Sequence, residues 1–159
     1  MIDTGWRMQL KELNLVPAEI LKKAEIPRDL FARRTVTLTI EEYFRLWLAI
    51  EEIIDSPCGA LILAQGISVE LFTPWMLSAF YSPNLNVCME RLNQYKKLTG
   101  PTLLNVYENE DETIVELECL DTKKPLPSFL VAANFVFFVD LVRRATKKKI
   151  KPISVTTQT

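Results

Sequence analysis

The sequence predicts an α+β fold: N-terminal helices, then an antiparallel β-hairpin, a long buried helix and a third, C-terminal strand. Three observations predict it. Proline and glycine divide the chain up to Gly100 into short segments whose apolar residues recur every three or four positions, the period of one helix face. After Pro101 the period changes to two, the mark of a half-buried strand. Residues 128–146 are then apolar almost all round until Asp140, so a helix there needs cover on two sides. With 159 residues, 48% hydrophobic and 25% charged, the chain suits one domain, 1–159, with its own core.

In order along the chain, residues 6–13 and 17–24 form two short helices about the Leu15-Val16 joint. Pro17 suits the first helical position, where its missing N–H costs nothing. Val16 before it has no side-chain oxygen with which to cap the helix. Ile26-Pro27 ends this segment, and residues 28–38 are a connector in which Arg33 and Arg34 make a solvated face. Thr39 and Glu42 have the spacing of a capping box and open a helix over 40–55. Its Tyr43, Phe44, Trp47, Ile50 and Ile54, widened by Leu46 and Ile53, form a stripe broad enough to be covered from more than one side. Ser56-Pro57 breaks the chain before a small apolar helix over 58–64 that ends near Gly66.

Residues 72–100 read as a short apolar helix, a Ser-Pro stop, an amphipathic helix and a Gly-Pro exit. Pro83 pushes Ser82 out of the α region. Asn84 is placed to cap the next helix, on which Leu85, Cys88, Met89, Leu92 and Tyr95 share a face. Beyond Pro101, Leu104 and Val106 alternate with Asn105 and Tyr107. Past a polar turn over 108–111, Val115, Leu117 and Cys119 alternate with Ile114, Glu116 and Glu118. This is a hairpin with one buried and one charged face. Glu116 and Glu118 solubilise the charged face, since without a desolvating pocket nothing separates their pKa values for acid–base work. Residues 123–127 break the chain before the long helix. Arg143, Arg144, Lys147, Lys148 and Lys149 at its end either complement the helix dipole or make a basic edge close to DNA. Pro152, Ile153 and Val155 supply the third strand.

Composition excludes more than it assigns. The chain has no histidine, which removes Ser-His and Cys-His nucleophiles, imidazole metal sites and proximal-His haem. A net charge of −1 sets up no field toward DNA or an acidic membrane. Cys58, Cys88 and Cys119 lie far apart without a CxxC, as expected of free thiols packed as small hydrophobes in a reducing compartment. Residues 1–13 lack the apolar core of a secretory signal, and the apolar run over 129–139 is too short to span a bilayer and contains Asn134. The expected location is the cytoplasm, with no membrane partner. No GxSxG, GxGxxG or phosphate loop is present, so neither an enzyme nor a cofactor, catalytic residue or metal site is expected.

The order Leu77, Ser82, Pro83, Leu85, Leu92 and Tyr95, leading into a hairpin, resembles the N-terminal, arabinose-binding-like effector domain of AraC-type transcriptional regulators. Asp55-Ser56-Pro57 and Gly59-Ala60-Leu61 extend the resemblance to the first half, and it covers about residues 6–155. Its motifs are helix breakers and apolar positions rather than chemical signatures. Val16 departs from the pattern, where many relatives place Asp.

The resemblance implies a domain that binds a small-molecule effector or forms a homodimer, and that governs a C-terminal pair of helix-turn-helix units. No basic recognition helix follows the last strand before Thr159. The expectation is therefore the regulatory part of a longer regulator, touching DNA only through those units, with a stand-alone sensor as the alternative. The resemblance fixes no effector residues, so these follow from the demands of a pocket: aromatic walls and a few oriented polar groups. Trp47, Trp75, Phe80, Tyr81, Arg91 and Tyr95 are the candidates. Arg91 has the fork that pairs a carboxylate bidentately. The same aromatics serve equally as core fillers, and Arg91 as a surface residue. A constitutive interaction module, dimerising through the helix over 129–139 without any ligand, is the competing function.

Overall fold

Prolines and capping side chains set most helix boundaries in the computed structural model, which describes residues 5–33, 37–121 and 123–157. Helix α1 (Gly5–Glu12) and helix α2 (Pro17–Lys23) close in the same way. Asn14 and Glu25 take left-handed φ angles of 58° and 56°. The amides of Asn14 and Leu15 donate to the carbonyls of Lys11 and Leu10, and those of Glu25 and Ile26 to Lys22 and Leu21. These are paired Schellman bonds, which satisfy the last carbonyls of each helix and turn an apolar residue inward; Ile26 is buried as a result. Val16 contributes no side-chain cap to α2, whose start relies on Pro17. Arg33 is exposed and holds Asp29 through two 2.9 Å hydrogen bonds, while Arg34 lies outside the described residues.

Helix α3 (Ile40–Ile54) has the full capping box: Glu42 N–H donates to Thr39 Oγ1 at 3.2 Å, and Thr39 N–H to Glu42 Oε2 at 2.8 Å. Helix α4 (Gly59–Gln65) starts after Cys58, which is exposed rather than packed; Cys88 and Cys119 are buried, and all three are free. The Ser56 hydroxyl accepts the Cys58 amide, which holds that residue in the turn outside the helix. Helix α5 (Pro74–Phe80) is followed by α6 (Leu85–Thr99), where Asn84 Oδ1 accepts the Val87 amide at 2.9 Å. Cys88, Met89 and Leu92 form the buried face of α6, with Tyr95 half-buried and Leu85 exposed at its first turn.

Strands β1 (Thr102–Glu108) and β2 (Thr113–Cys119) pair antiparallel, with Leu104 opposite Leu117 and Val106 opposite Val115. Asn109 closes their turn by accepting the amides of Asp111 and Glu112 on its side-chain oxygen. Helix α7 (Ser128–Thr146) follows. Its apolar girth has a direct cause, because it belongs to two clusters at once. Phe129, Leu130 and Ala133 pack with α1, α2 and α3, whereas Phe138 and Leu141 pack with α5, α6 and the hairpin. Helix α4 covers a further side of it.

The expected third strand does not form. Residues 151–157 run without strand pairing, with Ile153 and Val155 exposed. Pro152 has no N–H to give a ladder, and Arg143 Nε donates to the Ile150 carbonyl at 2.9 Å, tying the chain to α7 instead of the hairpin. The basic end of α7 is likewise partly absorbed by the fold. Arg144 pairs with Asp140 at 2.7 Å and donates to the carbonyls of Ile67 and Gln65 just beyond α4, leaving Lys147, Lys148 and Lys149 as its solvated charges. Among the described residues no helix is long and apolar enough to cross a membrane.

Candidate functional site

The two clusters do not meet flush. Between them lies a cavity of about 100 Å³ whose wall is drawn from α1, α3, α4, α5, α6 and α7. Helix α1 presents Trp6, Gln9 and Leu10, with Leu13 in the turn after it, α3 presents Tyr43 and Trp47, and α5 presents Trp75 and Met76. Lys96 and Thr99 close it from α6, and Ala133, Asn134 and Phe137 from α7. All three tryptophans of the chain are therefore at this one wall. Two close approaches shape it. A Cβ on Gly100 would come within 2.8 Å of the Tyr43 ring, so the missing side chain lets that ring lie against the backbone leaving α6. A Cβ on Gly66 would meet Leu13 at 1.9 Å, so a side chain there would displace the end of α1.

The polar groups of the wall are few and unevenly satisfied. Gln9 is buried and donates to the Leu71 carbonyl at 3.2 Å and, weakly, to Met76 Sδ at 3.8 Å. Asn134, also buried, donates to the Leu130 carbonyl at 2.7 Å and accepts from Lys96 Nζ. That ammonium lies 5.7 Å from the centre of the Phe138 ring, a cation–π distance, and among the described residues pairs with no carboxylate. Lys96 as a whole is half-buried. Burial without a counter-charge lowers its pKa from 10.5 to about 8. Burial likewise pushes the Tyr43 hydroxyl up to about 12, so it stays protonated.

The indole N–H groups of Trp47 and Trp75 are buried and have no partner. Trp47 is near enough to the Tyr43 hydroxyl to favour its anion slightly, but not in hydrogen-bonding geometry. An unmet buried donor costs roughly 1–3 kcal/mol, and both nitrogens are packed within the protein. Edge-to-face packing of Trp6 on Trp47, 5.5 Å between centres at 88°, fixes the plane of the Trp47 ring.

Of the six residues singled out from the sequence, Trp47 and Trp75 line this cavity and the other four do not. Phe80 packs in the second cluster against Phe72. Tyr81 is 73% exposed beside it. Tyr95 is half-buried away from the cavity. Arg91 is engaged within the chain, donating to the Ser78 carbonyl at 2.7 Å and to Ser82 Oγ at 3.2 Å, which fastens α6 to the end of α5. Sequence reasoning missed Gln9, Tyr43, Lys96 and Asn134 as wall residues. Only Asn134 carried a usable signal, an amide inside an otherwise apolar run; Lys96 looks like any lysine in the last turn of a helix.

The wall holds no nucleophile–base pair, and among the described residues no group of three His, Cys, Asp or Glu is placed to hold a metal ion. What the arrangement offers is a largely apolar, partly open cavity with a few polar side chains and an ammonium at its wall. The sequence has no match among curated proteins. Residues 15–158 match the family model described as the arabinose-binding domain of AraC transcription regulator, N-terminal, and the chain thus belongs to this family of regulatory domains.

Proposed function

We propose that residues 1–159 form one regulatory domain that senses a small-molecule effector in the cavity between its two clusters and passes that state to an attached DNA-binding domain in the cytoplasm. The observation that carries this reading is a partly open cavity between the two clusters, with a wall drawn from six helices and an ammonium, that of Lys96, at that wall. An occupant would touch both clusters at once through α7. It would therefore favour one arrangement of them over another, which is the differential affinity that control by a ligand requires.

The test uses the tryptophans themselves. Binding to the native state alone raises stability by about 2.7 kcal/mol when ligand is present at a hundred times its Kd. A true effector is expected to raise the melting temperature and to change tryptophan fluorescence with the same saturation midpoint. Stabilisation without any fluorescence change would place the ligand elsewhere and sink the cavity reading.

Homodimerisation is the second role, and a separate observation favours it. A shallow groove of about 340 Å³ runs between α4 and α7, lined by Leu61, Ala132, Phe135, Val136 and Val139, with Val155 at its margin. Leu61 is 41% exposed there. An apolar strip of this kind on two packed helices suits a second copy of the same strip about a two-fold axis.

A further inference from the structure

We propose that the effector is a small organic anion, a carboxylate on a short apolar body, with its charge met by Lys96. This rests on reading the cavity as the effector site. Two observations select the anion. Among the described residues Lys96 is the one charged residue lining the cavity, and it makes no ion pair with any of them. Its protein partner, Asn134, offers only a neutral amide oxygen, which cannot repay the desolvation of a full charge. The described wall thus carries a positive charge with no Asp or Glu to offset it.

A ligand that completes this site brings negative charge. A carboxylate does so. A polyol brings no negative charge to pair with Lys96. An ammonium ligand would meet Lys96 as a like charge. Leu10 and Phe137 line the same space, so the rest of the ligand is apolar. Size narrows it further. A cavity of about 150 Å³ holds benzene, so 100 Å³ sets the scale at a carboxylate with only a few carbons. Near neutral pH Lys96, at about 8, is still mostly protonated and available to pair.

The experiment compares matched sets on the full chain: propanoate, butanoate and 2-methylpropanoate against the corresponding amides, alcohols and amines. Tryptophan fluorescence and melting temperature are read for the native protein and for Lys96→Met and Lys96→Gln. The expected result is saturable binding of one or more carboxylates with at least about tenfold preference over their amides and alcohols. Both Lys96 variants should lose that preference while keeping their fold. Amides or alcohols binding as tightly as the acids would overturn the anion assignment and leave the cavity as the effector site. An unchanged carboxylate preference in both variants would overturn the role of Lys96 and with it the proposal. No saturable response to any set would remove the cavity reading and the anion together.

Discussion

At Lys96 the fold sustains a cost that pH can relieve, and the sign follows from the direction of its shift. The folded pKa, about 8, lies below the unfolded 10.5, so between those values the unfolded chain holds the extra proton and stability rises with pH. Below about 8 both states are charged and the penalty is fully present. The groups around this ammonium are Asn134 and Phe138 on α7 and, across the cavity, the protonated hydroxyl of Tyr43 on α3, none of them anionic. Lys96→Met should therefore stabilise the ligand-free protein at pH 7 by about 1–2 kcal/mol, after discounting for the half-buried residue and the lost Asn134 bond. Urea titrations of both proteins from pH 7 to 10 check this, and the gap should close as pH rises. Cys88, pushed up to about 11 by burial, and Tyr43 lower stability at the alkaline end in both proteins and cancel in the difference. A variant less stable than the parent at pH 7 would mean that Lys96 is already well solvated. None of this was legible beforehand, because a lysine near a helix C-terminus has an ordinary electrostatic reason to be there, and its inward turn depends on where α7 places Asn134.

At the scale of elements the reading from sequence did well wherever the cause is local. The capping box of α3, the Asn84 cap of α6, the proline start of α2 and the bounds of α7 all follow from short-range chemistry. The hairpin followed from its alternation. The third strand failed because a ladder needs a neighbour, and tertiary contacts at Arg143 took the chain elsewhere. One local cost is exposed at the end of α2, where Glu25 sits at a φ of 56° that a side chain adopts reluctantly. Glu25→Gly should raise stability by about 0.5–1 kcal/mol, the strain relieved exceeding the added freedom of the unfolded chain. Its Schellman bonds at Leu21 and Lys22 should persist in amide hydrogen exchange. A loss of stability would show that the Glu25 side chain has a partner role in the native state.

For the whole molecule, the question left by α7 is what meets its outer strip with α4. If a second copy covers it, Leu61→Glu or Val136→Glu should turn a dimer into a monomer in sedimentation velocity at tens of micromolar, with the melting temperature of the monomer little changed, since both side chains border solvent. A parent protein that sediments as a monomer at that concentration would end the homodimer reading. The sequence by itself determined the class of the molecule: helix stops, caps and the switch in apolar period are written in neighbouring residues, and the family's pattern of breakers is made of the same marks. The absence of histidine also bounded its chemistry from the start. Only the tertiary structure decided where the candidate site lies. A cavity is the space that two clusters fail to fill, and Gln9, Tyr43, Trp75, Lys96 and Asn134 share it through packing between helices remote in the chain, which no local period encodes.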